Sequence, residues 1–257
     1  MKQIYIIAKE TFTLLRRDKI FLPIIAFGCC MMFVSSMAQD TSADELVKVM
    51  LDVGVTGFFV TGILICMLWG IKSICESRKD GSVELQLVSP ISRYQWLLGK
   101  YFGLSFSLLV IGAILYIAFQ VMMLLDFKQF ISFHQFLIFA YMYLGWLVFA
   151  AICTFFATFC NTPTAIFSSF LVWVLGMLSG ILEETLPQRS IGTWMEKAIT
   201  SLATFWDFQR FNLIDYTYYE ASFPHSADLL SFAAYGVALI TILLLGASFI
   251  FGRRDLV

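Results

Sequence analysis

Charge is what this 257-residue chain has least of. Asp, Glu, Lys and Arg together make up 14% of it, against about 25% in an ordinary globular domain. The net charge of −1 excludes a basic nucleic-acid surface, which needs a concentrated excess of Lys and Arg. Motifs of the common enzymes are absent as well. Gly99-Lys100 is followed by Tyr101, and no glycine stands five residues before Gly99, so no phosphate-binding loop of the G-x-x-x-x-G-K-[ST] type exists. H-E-x-x-H and G-x-S-x-G do not occur, and the two histidines, His134 and His225, are far apart. Six cysteines contain no C-x-x-C. Cys29, Cys30, Cys66, Cys153 and Cys160 sit in apolar stretches and Cys75 adjoins the charged run Glu76–Asp80, so they read as small apolar residues, not disulfides or metal ligands. No catalytic residue, cofactor or metal site is expected.

Apolar residues fill the space that charge leaves. They make up 60% of the chain, with 27 Phe and a mean hydropathy of +0.83. A soluble domain cannot hide that much apolar surface, since even near 300 residues folding buries only about 75% of what the unfolded chain exposes. The chain therefore reads as an integral membrane protein. A spanning helix needs about 20 mostly apolar residues, because every backbone polar group must be satisfied inside it. Six stretches qualify: 20–37, 53–71, 101–125, 135–160, 164–182 and 229–251. None contains Asp, Glu, Lys, Arg or His. The expected fold is all-α, a single transmembrane domain with both termini on one side.

Orientation follows from Lys and Arg. With the termini cytoplasmic, 12 of the 17 basic residues face inward and 12 of the 18 acidic ones face outward. Ser36-Met37-Ala38 loosely imitates a signal-peptidase site. The residues before the first span argue against cleavage: Ile4, Ile7, Ala8, Thr11, Leu14 and Leu15 recur at helical spacing opposite Lys9, Glu10, Thr13 and Arg17. Residues 1–19 are thus expected to form an amphipathic helix in the inner interface.

Within the spans, small residues and tryptophans carry little information. Gly99-x-x-x-Gly103 and Gly176-x-x-x-Gly180 have the spacing of close helix contacts, at a frequency near chance for glycine-bearing spans. Trp69, Trp96, Trp146 and Trp173 lie mostly near span ends, as interfacial anchors do. Charge-free spans also argue against a proton pump, voltage sensor or ion channel, whose mechanisms place ionisable groups there. Any driving force enters from elsewhere.

The inner segment 72–100 is the most informative. A charged extension of the second span runs through Glu76, Arg78 and Lys79 and ends at Asp80-Gly81, where glycine permits a turn. Val83-Glu84-Leu85-Gln86-Leu87-Val88 follows, Pro90 stops it, and Arg93 leads back to the membrane. A short, stiff, partly apolar piece held between two spans has the form needed to dock into a partner's groove. The positive-inside rule explains the charges but not the Gly and Pro punctuation.

This pattern resembles the permease subunits of type-2 ABC transporters. The resemblance rests on Glu76, Asp80-Gly81-Ser82-Val83-Glu84, Leu87-Val88-Ser89-Pro90-Ile91-Ser92-Arg93 and Leu98-Gly99-Lys100. Arg210-Phe211-Asn212-Leu213 and the terminal Phe251-Gly252-Arg253-Arg254-Asp255-Leu256 agree with it. It implies a multi-pass exporter subunit of a bacterial inner membrane that pairs with a second copy or a sister permease, surrounded by membrane lipid. Two cytoplasmic ABC ATPase subunits would bind beneath. The implied ATPase-coupling residues are Glu76, Arg78, Lys79, Gly81, Glu84, Pro90 and Arg93. No nucleic acid is involved. The outer segment 183–228 is longer than in the shortest family members and would serve as a lid, an extracytoplasmic docking surface or a spacer. The rival reading is a force-transmitting scaffold of an ABC-type complex that moves no cargo. Walls rich in Phe and Met admit lipids, amphipathic drugs, peptides or the lipid-linked end of a glycan alike.

Overall fold

A computed structural model describes residues 2–18, 26, 30, 43–80, 92–127, 133–178, 211 and 226–253. Among them every regular element is helical. In chain order these are α1 (Lys2–Arg17), α2 (Ala43–Ile65), a π-helical turn (Cys66–Gly70), α3 (Ile71–Lys79), α4 (Arg93–Phe127), α5 (Phe133–Phe159), α6 (Thr162–Met177) and α7 (Ser226–Arg253). Four stretches are long and apolar enough to cross a membrane: Val53–Lys79, Arg93–Val121, Gln135–Phe159 and Ala227–Arg253. They correspond to the second, third, fourth and sixth expected spans. The first, 20–37, lies outside the described residues, as does most of the outer segment 183–228. The fifth corresponds to α6, whose 16 residues rise about 24 Å against a hydrocarbon core of about 30 Å. Pro163 stands at the start of α6, where its missing N–H costs nothing, and lets α5 reverse through Cys160 and Asn161 alone.

Apolar side chains gain little by leaving lipid for a helical bundle, so close packing and hydrogen bonding must hold it together. Trp146 of α5 is the centre of that packing. It is fully buried and donates its indole N–H to the Phe59 carbonyl at 3.0 Å. Its ring stacks on Phe58, with centroids 4.4 Å apart. Gly62 of α2 and Gly112 of α4 make room for it, and a Cβ at Gly62 would overlap the indole. Trp96 is fully buried too, stacked on Phe251 at 5.5 Å, and Trp69 is buried in the π-helical turn. These three tryptophans are therefore packing residues first. Position along a span cannot distinguish an interfacial anchor from a core ring that faces glycines on its neighbours.

The π-helical turn interrupts the second span just where α4 approaches. Such turns are rare and leave backbone groups out of register. Here Ser73 donates its hydroxyl to the Gly70 carbonyl at 3.1 Å, and Gly70 admits the Leu104 side chain. The one described residue of the 210–213 motif, Phe211, is also buried. It enters a slot made by Gly145 of α5 and Gly236 of α7 and stacks on Tyr235.

Gly99 and Gly103 are not chance glycines. They line the close approach of α1 to α4: a Cβ on Gly99 would press on Ile7, and one on Gly103 on Thr11 and the Ala8 carbonyl. Ile7, Thr11 and Leu15 form the buried stripe of α1, while Tyr5, Ile6 and Leu14 are exposed. Phe12 then meets Phe106 edge-on at 5.1 Å, so contacts advance along both helices in the same direction. Helix α1 is thus docked onto α4. Gly103→Val should separate them at a cost of about 1–3 kcal/mol, the usual penalty for overpacking. A cysteine introduced at Thr11, protected from maleimide in the parent chain, should then become reactive.

Candidate functional site

Helix ends bring the scarce charges together. The end of α3, the start of α4, the α5–α6 reversal and the end of α7 meet at one face of the bundle, joined by side-chain hydrogen bonds to backbone. Lys72, Arg78, Lys79, Arg93, Lys100 and Arg253 all belong to it, so we refer to it as the basic end.

The last carbonyls of a helix have no partner within it, and a cation near them also meets the negative end of the helix dipole. Arg78 does this for α5, donating from one guanidinium nitrogen to the carbonyls of Ala157 and Cys160. The Cys75 thiol rests on the same two carbonyls at 3.8 Å. Arg93 does it for α7, donating to the carbonyls of Phe251 and Gly252 at 3.3 and 3.2 Å. An arginine at the first position of a helix is disfavoured by that helix's own dipole, so its engagement with the end of another helix explains its place. Ser92, one residue earlier, caps α4 reciprocally. Its hydroxyl accepts from the Gln95 N–H at 3.3 Å, and its own N–H donates to the Gln95 side-chain oxygen at 3.2 Å. Each residue of Ser92-Arg93 therefore has a structural task.

Lys100 is nearly buried. Its ammonium donates to the Ser77 hydroxyl at 3.1 Å and lies 5.6 Å from the centre of the Trp96 ring. A buried ammonium needs such partners to offset its lost hydration. Lys72 pairs with Asp18, just beyond α1, at 3.2 Å. Between α1, α3 and α4 these groups border a cavity of about 490 Å³, lined by Glu10, Asp18, Glu76 and Asp80 together with Arg17, Lys72 and Lys100. Among the described residues no three His, Cys, Asp or Glu side chains stand together as metal ligands.

Of the residues expected to couple to an ATPase, four are among the described residues. Glu76 is exposed on the charged cavity, Lys79 is exposed, and Arg78 and Arg93 reach other helices. Gly81, Glu84 and Pro90 lie outside the described residues. Sequence reasoning missed the helix-capping role of both arginines, the Ser92–Gln95 cap and the Lys72–Asp18 pair. The cap alone had a local signature, the S-x-x-Q spacing. Cation-to-carbonyl contacts between residues 79 or 158 positions apart have none.

Residues 5–256 match the protein family described as ABC-2 family transporter protein. No curated protein matches the chain.

Arg93→Gln should release the end of α7. The pair is only half-buried, so the expected loss of stability is about 1 kcal/mol, the low end for a charge-assisted hydrogen bond. Hydrogen exchange should rise at 249–253 and stay unchanged at the opposite end of α7, with Arg93→Lys intermediate because it keeps the charge without the planar fork.

Proposed function

Because the chain belongs to the ABC-2 transporter family, we propose that it is the transmembrane permease subunit of an ATP-driven exporter, energised by a separate ABC ATPase through the segment between Arg78 and Arg93. Family membership implies the ATPase partner. Two ATPase subunits serve two permease halves, and this chain hydrolyses no ATP. The basic end is cytoplasmic, because it carries the excess of Lys and Arg that marks inner segments. With six spans crossing a bacterial inner membrane, both termini are on its cytoplasmic side.

One observation carries this reading: the arginines flanking residues 81–91 hold the ends of α5 and α7. Whatever displaces that segment pulls on α3 and α4 through the backbone and on α5 and α7 through the two guanidiniums. A partner that binds two arrangements of the segment with different affinity therefore shifts the bundle between two arrangements. Asp80, the last described residue before the segment, lines the charged cavity with Glu76, which gives a partner's polar groups a place to meet them.

Gly81→Pro and Glu84→Arg test this. Both variants should insert and fold like the parent chain, while ATP hydrolysis by the co-purified ATPase loses its response to the permease and transport stops. Normal coupled transport in both variants would remove the support for the segment's role.

A further inference from the structure

Helix α1 separates two unlike cavities. Glu10, Leu14 and Arg17 border the charged one, whereas Tyr5, Ala8, Lys9 and Phe12 border an apolar one of about 450 Å³ against Phe102, Phe106 and Leu109 of α4. A third cavity of about 390 Å³ shares Leu109 and Tyr143 with the second and continues between α4 and α5 as far as Tyr116 and Phe136. Small residues open this stretch: Ala113 and Ala140, both exposed, stand where longer side chains would fill it. Tyr143 donates its hydroxyl to the Ser105 carbonyl at 3.0 Å, so that polar group is already satisfied within the protein. Phe102, Phe106, Leu109 and Phe136 are each about half exposed along it. From Phe102 to Tyr116, α4 rises about 21 Å, which exceeds half of the roughly 30 Å hydrocarbon core.

We infer that this groove binds one anionic phospholipid, with an acyl chain along α4 and the phosphate at Lys9. Among the described lining residues Lys9 carries the one charge, and it stands at the α1 end of the groove. Its side chain is exposed. A long apolar slot with a single cation at its mouth complements a molecule with one anionic head and a long apolar tail. An interfacial lysine also extends its stem along apolar surface while its ammonium stays at headgroup level. A protein partner would have to bring both an acid to Lys9 and an unbroken apolar ridge to the groove, whereas a phospholipid joins the two in one molecule. Bound there, the lipid bridges α1 to α4 and α5 beyond the reach of the Gly99 and Gly103 contact.

The test uses the purified full chain, exchanged into detergent with equal phosphatidylglycerol and phosphatidylcholine and read by native mass spectrometry. The parent chain should retain one phosphatidylglycerol in preference to phosphatidylcholine by roughly five-fold, the worth of one lysine near an anionic headgroup. Lys9→Gln should equalise the two, while Lys2→Gln keeps the preference. Ala113→Phe, which fills the groove, should abolish retention of both lipids. Unchanged elution and helical circular dichroism confirm that each variant is folded, and an equivalent filling variant, Ala140→Phe, replaces Ala113→Phe if that one misfolds. No preference in the parent chain, a preference that survives Lys9→Gln, or retention that survives filling of the groove overturns the assignment. So does efficient disulfide formation between two copies carrying Phe106→Cys in membranes, which would show a second copy of the chain covering the groove.

Discussion

The last carbonyls of a helix have no partner within it and must take a donor from elsewhere. In this chain, two arginines are those donors. Arg78 serves the end of α5 and Arg93 the end of α7, and the two stand at either margin of one connecting segment. The consequences reach through the basic end. The backbone from α3 to α4 is tied to helices that follow it by dozens of residues, and its movement cannot be independent of theirs. Lys100, held by Ser77 and Trp96, and Lys72, held by Asp18, extend the same network to the face of α4 and to α1.

Away from the basic end the bundle uses a different device. Large rings meet glycines: Trp146 over Gly62 and Gly112, Phe211 between Gly145 and Gly236, the Ile7–Thr11 stripe over Gly99 and Gly103. Lipid supplies no hydrophobic drive for helix association, so close approach and well-matched shapes must provide it. The same economy of side chains leaves the groove beside α1 open, because Ala113 and Ala140 admit what a bulkier residue would exclude. Polar contacts hold the helices together at one end of the bundle, and rings seated on glycines hold them in the middle.

Much of this was legible in the sequence. Charge-free runs located four of the six expected spans, each matched by a long apolar helix, and of the six α1 positions picked out by helical spacing Ile7, Thr11 and Leu15 are buried while Leu14 is exposed. The inner segment stood out by its Gly and Pro punctuation. What the sequence concealed was where side chains go. Arg78 and Arg93 satisfy the positive-inside rule equally well whether they point to solvent, to a partner or to a helix end. Trp146 looks the same in one dimension whether it anchors at an interface or fills a slot, because the glycines that decide lie on α2 and α4. The π-helical turn at Cys66–Gly70 has no composition of its own. Such features depend on which helices become neighbours, and hydropathy carries no information on that.

The central claim is that motion imposed on the segment between the two arginines is passed to the far ends of the helices they hold. Pulsed electron spin resonance on the assembled complex tests it directly, with spin labels at the exposed residues Val121 of α4 and Leu230 of α7, far from the basic end. The distance distribution should shift between the nucleotide-free state and a state trapped with ATP and vanadate. In a complex carrying Arg93→Gln that still hydrolyses ATP, the shift should disappear. An identical shift with and without the Arg93 contact would contradict the account.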